Sequence, residues 1–245
     1  TGGPQGIAHA VNEAHKFIGD DPFMFYLSDN VVLGDLKGMF DEFAEGKYDC
    51  MLALSEVPDP QRFGVPIFNE HKELIDVIEK PTDPQNNFAV TGMYLYGPRV
   101  FFEAFKHIEK SPRGECEISS IHSHFLKNGK RVGYKEITGW WKDTGKVDDL
   151  LLANQLLLDK TEKEYFIYSP QVVRDASVSG NVHIGNGTQI GKNVVIVGPV
   201  IIGENVVLEN CTIGPHVTVG SGCEIKDVKI EDSIILDNAS IRVDI

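Results

Sequence analysis

Two aspartates stand where a carboxylate could hold a metal ion. Asp29 follows directly on the apolar run 23–27, and Asp143 lies just before the turn Thr144-Gly145. Ligands of open α/β sheets bind beyond the carboxyl ends of the strands. Two carboxylates from separate strand ends can share one Mg²⁺, which keeps its other positions for phosphates and water. The pair suits phosphoryl or nucleotidyl transfer, although Asp29 taken alone would more often cap the following turn.

A second group of residues predicts a sugar pocket. Glu79 and Lys80 precede Pro81, and the segment Val90-Thr91-Gly92 opens a predicted strand. An adjacent Glu and Lys are usually a solvated pair. Here the proline stiffens the chain beside them, and the glycine admits close backbone approach. Together they predict that Glu79 accepts hydrogen bonds from hydroxyls and that Lys80 holds a phosphate as a point charge.

The elements that position these residues alternate between short apolar runs and amphipathic stretches, which is typical of α/β proteins. The pattern predicts helices over 7–17, 35–45, 98–108, 117–127 and 146–158, and strands over 23–27, 49–57, 65–68, 74–78, 90–96 and 131–137. The unbroken run at 23–27 predicts a buried parallel strand, while 65–68 and 74–78 predict an antiparallel hairpin. We expect residues 1–164 to form one α/β domain.

A different period begins after about residue 165. Aliphatic residues recur at intervals of six, with three intervals of five, at Val178, Ile184, Ile190, Ile196, Ile202, Leu208, Ile213, Val219, Ile225, Ile230, Ile235 and Ile241. Three such hexads make one triangular turn of a parallel β-helix, in which the glycines that follow several of these residues relieve the corners. Residues 165–245 are therefore predicted to form a β-helix that resembles the left-handed kind. Its flat faces favour a homo-oligomer.

Two histidines in this repeat raise the question of acyl transfer, because many hexapeptide proteins are acyltransferases with a catalytic histidine. His183 and His216 both fall in the outward register between inward aliphatics. No long insertion interrupts the turns to build an acceptor pocket. We expect both histidines to be solvent-exposed and non-catalytic.

Charge and composition exclude several classes of protein. The formal net charge is −13, with 23 Lys and Arg against 36 Asp and Glu. Non-specific binding to nucleic acid or to an anionic membrane depends on positive charge and is disfavoured. The apolar runs are too short to span a bilayer. A phosphate-bearing substrate would need a metal ion or a few local cations.

The cysteines and the N-terminus suggest where the protein works. Cys50, Cys116, Cys211 and Cys223 are far apart and lack the spacing of a zinc site, so they are predicted to be reduced and mostly buried. With no secretory signal, a cytoplasmic enzyme is expected. The chain starts at Thr1 and runs into Gly2-Gly3-Pro4, which is typical of the middle of a domain, so we expect a fragment.

The motifs taken together resemble the sugar-1-phosphate nucleotidylyltransferases, and among them the glucose-1-phosphate thymidylyltransferases with a C-terminal hexapeptide β-helix. The segments that carry the resemblance follow in family order: Pro4-Gln5-Gly6-Ile7-Ala8-His9-Ala10, Leu27-Ser28-Asp29-Asn30, Arg62-Phe63-Gly64-Val65, Ile78-Glu79-Lys80-Pro81, Ala89-Val90-Thr91-Gly92-Met93-Tyr94, Arg113-Gly114-Glu115-Cys116-Glu117-Ile118 and Trp141-Lys142-Asp143-Thr144-Gly145. The resemblance implies a partial Rossmann-like nucleotidyltransferase domain ahead of the β-helix.

The resemblance also implies roles for individual residues. Asp29 and Asp143 match the aspartates that hold Mg²⁺ between the nucleotide and the sugar phosphate, and with Lys80 they would carry the catalysis. The remaining matches are substrate-binding positions: Glu79 and Lys80 at the sugar and its phosphate, Gly64, Val90 and Thr91 around the sugar, Gly6 near the base, and Trp141 in the same site. The implied reaction joins a nucleoside triphosphate, dTTP in the first place, to glucose 1-phosphate and releases pyrophosphate.

Several alternatives stay open. The Gly-rich phosphate loop with which family members begin has no counterpart after Thr1, so the domain is expected to be N-terminally incomplete, and both activity and loss of activity of this fragment on its own stay open. UTP or GTP would give UDP-glucose, UDP-N-acetylglucosamine or GDP-mannose instead. A bifunctional acetyltransferase and a non-catalytic regulatory or assembly subunit are the other candidates.

Overall fold

The computed structural model of the chain describes residues 3–161 and 176–243. These residues form two compact units that divide between Asp143 and Thr144. The domain boundary expected between residues 164 and 165 lies outside the described residues. The helix that follows Thr144 therefore belongs to the same unit as the β-helix.

The first unit is an α/β assembly, as the alternating pattern predicts. Its elements in chain order are α1 (Ile7–Glu13), α2 (His15–Ile18), β1 (Phe23–Tyr26), β2 (Asn30–Val32), α3 (Lys37–Ala44), β3 (Cys50–Glu56), β4 (Gly64–Phe68), β5 (Leu74–Glu79), β6 (Phe88–Tyr96), α4 (Val100–Phe105), α5 (Ile118–Lys127), β7 (Val132–Glu136) and β8 (Trp141–Asp143). The helix expected over 7–17 is divided at Ala14. The other predicted helices and strands are present with shifted ends.

The main sheet has the order β5-β4-β6-β3-β7, and β1 also pairs with β6. The hairpin of β4 and β5 is antiparallel, as predicted. The prediction of a buried parallel strand at 23–27 is wrong, because β1 runs antiparallel to β6 and exposes Met24 and Tyr26. An apolar run does not encode strand direction, and here only Phe23 and Phe25 pack against the core.

Both faces of the central strands are covered, which explains their continuous apolar sequence. On β3, Cys50, Leu52 and Leu54 belong to the core on the side of α1, α4 and α5. The alternate residues Met51 and Ala53 join a second core that includes residues of α3 and β8. Period-two alternation thus sends neighbouring residues of one strand to opposite layers.

A crevice opens where two strands share one edge of β6. β1 follows that edge as far as Gly92, whose carbonyl accepts a hydrogen bond from the Leu27 amide. β4 joins the edge at Val90, opposite Gly64. The two strands diverge between these points, and the residues at their ends face a common gap.

The second unit is a parallel β-helix with one long helix beside it. Its elements are α6 (Val147–Lys160), β9 (Ala176–Ser179), β10 (Val182–Ile184), β11 (Gln189–Ile190), β12 (Val194–Val197), β13 (Val200–Ile202), β14 (Val207–Glu209), β15 (Thr212–Ile213), β16 (Val217–Val219), β17 (Glu224–Lys226), β18 (Lys229–Ile230), β19 (Ser233–Ile235) and β20 (Ser240–Arg242). They form three four-stranded sheets, β9-β12-β15-β18, β10-β13-β16-β19 and β11-β14-β17-β20.

The predicted repeat is confirmed residue by residue. Its twelve aliphatic positions form three stacks of four, one in each sheet: Val178, Ile196, Ile213 and Ile230; Ile184, Ile202, Val219 and Ile235; Ile190, Leu208, Ile225 and Ile241. All of them belong to one interior cluster. The architecture is that of the hexapeptide-repeat, left-handed β-helix.

The corners of the β-helix depend on more than glycine. Left-handed backbone φ angles occur at Asn193, Asn205, Asn210, His216, Asp227, Asp232 and Asn238. Asn and Asp tolerate this region better than most residues do. Gly185, which follows an inward aliphatic, is needed instead for close approach, since a Cβ there would lie 2.5 Å from the Gly203 carbonyl carbon.

Helix α6 packs along β16 and β19 and corrects one expectation about the histidines. His183 and His216 are half-buried rather than solvent-exposed. His216 Nε2 lies 3.0 Å from Asp159 Oδ1 of α6, and its Nδ1 lies 3.2 Å from Asp232 Oδ1. The prediction that both histidines lie in the outward register is confirmed, but α6 covers this face of the β-helix. These carboxylates give His216 a structural role in holding α6.

Two other expectations can be compared with the structure. The four cysteines are buried, free thiols, as predicted. Among the described residues, no helix is both long and apolar enough to cross a membrane.

Candidate active site

A cleft of about 240 Å³ lies in the first unit, in the gap between β1 and β4. It brings together seven of the predicted site residues: Asp29, Gly64, Glu79, Lys80, Val90, Trp141 and Asp143. Gly6 and Thr91 are not part of its lining. Sequence positions more than a hundred residues apart thus meet in one concave site.

The two aspartates meet through the short ladder of β2 and β8. Asn30 pairs with Asp143 in this antiparallel ladder, and Asp29 immediately precedes Asn30. Burial raises the pKa of the nearby Tyr26, and the negative charge of Asp29 raises it further. The described residues contain no cluster of three His, Cys, Asp or Glu side chains suited to a metal. Mg²⁺ needs only one or two carboxylates when substrate phosphates supply other ligands, so the Asp29 and Asp143 pair fits that ion.

Asn30 is a buried residue whose role sequence reasoning missed. Its Nδ2 donates to Asp29 Oδ1 at 2.9 Å, while its Oδ1 accepts from the Gly92 amide at 3.0 Å and from Trp141 Nε1 at 2.7 Å. A Cβ on Gly92 would lie 2.8 Å from this amide group, so only glycine fits. Through these hydrogen bonds, Asn30 links the Asp29 carboxylate to β6 and β8.

Gly64 leaves open space in the row of residues that crosses three strands. It pairs with Glu79 on β5 and with Val90 on β6. A Cβ at Gly64 would lie 3.7 Å from Glu79 Oε2 and 3.8 Å from Val90 Cβ, at ordinary contact distance. Glycine is thus not required by the backbone here, and its effect is to widen the cleft beside Glu79.

Glu79 and Lys80 stand at the end of β5. Lys80 has a left-handed backbone with φ of 45°, which is costly for a residue with a side chain and is often found at functional sites. Its amide donates to the Phe63 carbonyl at 2.9 Å, which fixes this conformation. The Lys80 Nζ lies 3.7 Å from Glu79 Oε1, so the ammonium remains beside the cleft.

A polar network around Glu79 was also missed. Ser119 Oγ donates to Glu79 Oε2 at 2.9 Å, and Arg113 Nη2 donates to Glu79 Oε1 at 3.4 Å. The same Arg113 Nη2 donates to Glu117 Oε1 at 2.9 Å, and this bond raises the pKa of the guanidinium. The motif from Arg113 to Ile118 contributed to the family resemblance, but its spacing alone did not assign these contacts.

Thr91 and Gly6 have structural positions. Thr91 follows Val90 on β6, so its side chain points to the opposite layer, where Oγ1 donates to the Ala53 carbonyl at 2.9 Å. Gly6 precedes α1 with φ of 91°, and a Cβ there would lie 2.4 Å from the Cys116 carbonyl oxygen. Its neighbour Ile7 lines the cleft.

The wall formed by α5 contains a completely buried histidine, His122. Its Nε2 lies 2.8 Å from the Tyr96 hydroxyl, and its Nδ1 has no hydrogen-bond partner among the described residues. Burial lowers the pKa of His122 to about 3, so the imidazole is neutral near pH 7. Burial likewise raises the pKa of Tyr94, which packs against His122. His122 and Tyr94 therefore contribute no charge to the cleft near pH 7.

Two family models match the chain. The family model for nucleotidyl transferases matches residues 2–160, and a bacterial transferase hexapeptide model matches residues 181–212. The chain belongs to the nucleotidyl transferase family. The first match covers every residue of the cleft, and the second falls within the β-helix.

Two curated relatives match the chain over both the α/β unit and the β-helix. The low-salt glycan biosynthesis nucleotidyltransferase Agl11 of Haloferax volcanii is 37% identical over 98% of this chain and 67% of its own length. A glucose-1-phosphate thymidylyltransferase of Streptomyces griseus is 34% identical over 97% of this chain and 66% of its own length. The chain thus spans about two thirds of the length of these curated relatives.

A solved structure shows the same family fold. It is assigned to a glucose-1-phosphate thymidylyltransferase of Bacillus anthracis and contains sucrose. The sequences are 36% identical, and the match has a TM-score of 0.58 over 66% of this chain and 65% of the other.

Proposed function

We propose that this nucleotidyl transferase joins dTTP to glucose 1-phosphate, giving dTDP-glucose and pyrophosphate, with Mg²⁺ as cofactor. The observation that carries the proposal is the cleft that unites Asp29 and Asp143 with Glu79 and Lys80. Carboxylates for a hard cation stand beside an acceptor for hydroxyls and a cation for a phosphate. That combination fits a sugar phosphate that reacts with a nucleoside triphosphate.

Each residue of the cleft has a role in this proposal. Glu79 accepts hydrogen bonds from hydroxyls of the sugar, and the Lys80 ammonium holds the sugar phosphate. Val90 and Trp141 form apolar walls that exclude water, and Gly64 provides room for the ring. An oxygen of the sugar phosphate attacks the α-phosphorus of the triphosphate, and the bond from that phosphorus to pyrophosphate breaks. Such a reaction depends on positioning and charge neutralisation more than on a protein nucleophile.

Asp29 and Asp143 would hold the magnesium ion. Mg²⁺, when bound, neutralises the phosphate charges that develop during the transfer. Asn30 keeps the Asp29 carboxylate in place through its 2.9 Å hydrogen bond. The family relation supports dTTP as the nucleotide, because a Streptomyces relative over nearly the whole chain is named a glucose-1-phosphate thymidylyltransferase.

The test is pyrophosphate release by the full-length protein with Mg²⁺, glucose 1-phosphate and one nucleotide at a time. We expect release with dTTP and much less with UTP, GTP or ATP. Preference for another nucleotide would replace the dTTP assignment and keep the reaction type. No release with any of the four from a folded, metal-supplied sample would refute nucleotidyl transfer to glucose 1-phosphate.

A further inference from the structure

Glu117 is a buried acid in the cleft wall that the proposed reaction does not use directly. Its side chain is 9% exposed. It occupies the position before the first turn of α5, where an acidic residue would ordinarily cap the helix, yet it makes no side-chain capping bond. Its carboxylate is committed to other partners.

One oxygen of Glu117 accepts three hydrogen bonds. Ser111 Oγ lies 2.6 Å from Oε1, Arg113 Nη2 lies at 2.9 Å and Arg113 Nε at 3.3 Å. The turn that carries these donors is itself fixed, since the Ser111 amide bonds to the Glu115 carbonyl and the Gly114 amide to the Ser111 carbonyl, both at 2.8 Å. Glu117 thus immobilises an arginine whose side chain is otherwise 45% exposed.

The anchored guanidinium reaches Glu79. Arg113 Nη2 lies 3.4 Å from Glu79 Oε1, and Ser119 holds Oε2 from the other side at 2.9 Å. A carboxylate with a donor on each oxygen cannot rotate freely, so its remaining lone pairs keep one direction. A mobile Arg113 would remove one of these restraints, because an unanchored arginine side chain samples many rotamers.

We propose that Glu117 is a positioning residue that acts through Arg113 to hold the Glu79 carboxylate in the orientation that accepts the sugar hydroxyls. The inference rests on the proposed function, because it takes Glu79 to be the sugar-binding acid. Glu117 itself touches neither the sugar nor the phosphates. Its contribution is to the affinity and selectivity of the sugar site.

The test is a double-mutant cycle on Glu117 and Glu79 in the full-length protein. Glu117→Gln should raise the KM for glucose 1-phosphate about tenfold, with kcat and the KM for dTTP unchanged within about twofold, which is the pattern of binding lost equally in the ground state and the transition state. Once Glu79→Gln is present, adding Glu117→Gln should change the sugar KM by less than about twofold, because the residue acts through Glu79. Glu117→Asp, which keeps the charge, should recover part of the affinity.

Controls separate position from charge and from folding. Glu115→Gln removes a nearby negative charge that makes no side-chain hydrogen bond to Arg113, and it should leave the sugar KM unchanged. If Glu117→Gln lowers the melting temperature, Ser111→Ala provides a milder loss at the same carboxylate and should raise the sugar KM in the same direction. Additive effects of the Glu79 and Glu117 changes would overturn the inference. A wild-type protein that releases no pyrophosphate would instead overturn the proposed function, and the positioning role with it.

Discussion

The two units of this chain hold their important side chains in opposite ways. In the β-helix, equivalent residues recur along the chain and stack on one another, as Ile184, Ile202, Val219 and Ile235 do at intervals of 18, 17 and 16 residues. In the α/β unit, the cleft takes unlike residues from several separate elements. A repeat therefore specifies a core, while unlike residues brought together by topology specify a site. Substitutions should change stability in the β-helix and chemistry in the cleft of the α/β unit.

The largest effect is expected inside a β-helix stack. Ile196 is completely buried on β12 between Val178 and Ile213. Ile196→Asp would place an unpaired carboxylate among aliphatic side chains and should cost on the order of 5 kcal/mol of unfolding free energy. Denaturant unfolding followed by circular dichroism measures this change. The matched control is Val195→Asp, one residue earlier and 37% exposed, which should cost less than about 1 kcal/mol. Equal losses of unfolding free energy in both variants would contradict the inward position of Ile196 in its stack.

The next effect concerns activity rather than stability. Asp143→Asn keeps the shape of the side chain but removes the charge that would hold Mg²⁺, and it should lower kcat/KM at least about a hundredfold. The melting temperature should stay within a few degrees of the wild-type value. Initial rates of pyrophosphate release across a range of Mg²⁺ concentrations measure the loss.

Asp148→Asn is the matched control for that experiment. It makes the same change five residues later, on the exposed first turn of α6. Its rate should equal the wild-type rate. Unchanged turnover in Asp143→Asn would remove this residue from the metal site.

The same contrast explains how much the sequence could predict. The β-helix was predictable to the residue because twelve in-phase aliphatics encode one register twelve times over, and the pairing confirms it. The segments near the cleft were predictable as motifs, because charged residues follow apolar runs. What the motifs do not contain is direction: the run at 23–27 does not show that β1 pairs antiparallel to β6.

Contacts between segments that are distant in the chain likewise could not be predicted from the sequence. Asn30 is one polar residue beside Asp29 in the sequence, and only the pairing of β2 with β8 shows that it also binds Trp141. Val90 and Thr91 were both expected at the sugar, yet a strand sends neighbours to opposite faces, and only Val90 lines the cleft. That alternation was available from the sequence and should have separated them.

An effect of intermediate size is expected from pH: the unfolding free energy of the α/β unit should fall as the solution becomes acidic. His122 has a pKa of about 3 in the folded protein because it is buried, against 6.5 for an ordinary histidine. Between these values the unfolded chain binds more protons, so stability rises with pH up to about 6.5 and falls as pH drops toward 3. The slope from this residue should be about 1.4 kcal/mol per pH unit over much of that window.

Comparison of unfolding free energies at pH 5 and pH 7 tests this sign. His122→Gln cannot titrate in this range, so its loss of stability on acidification should be smaller than that of the wild type by roughly 2 kcal/mol. Carboxylates elsewhere contribute equally to both proteins and cancel in the difference. An unchanged slope in His122→Gln would show that the imidazole is not buried in its neutral form.

The smallest effects should come from two glycines, one in each unit. Their comparison distinguishes a glycine that the backbone requires from one that leaves space for a ligand. At the β-helix corner, Gly187 has φ of 74°, and an added Cβ would lie 2.2 Å from Asn205 Oδ1. Gly187→Ala should therefore cost about 1–2 kcal/mol of unfolding free energy and leave the sugar KM unchanged. Gly64→Ala meets no contact closer than 3.5 Å, so the unfolding free energy should change by less than about 0.5 kcal/mol.

The Gly64 methyl group would nevertheless occupy space beside Glu79 that we assign to the sugar. The KM for glucose 1-phosphate should rise severalfold while the KM for dTTP stays the same. A stability loss at Gly64 with normal sugar affinity would mean that this glycine serves the backbone, as Gly187 does. The observed contact distances argue against that outcome, because nothing in the structure near Gly64 has to move to accept a Cβ.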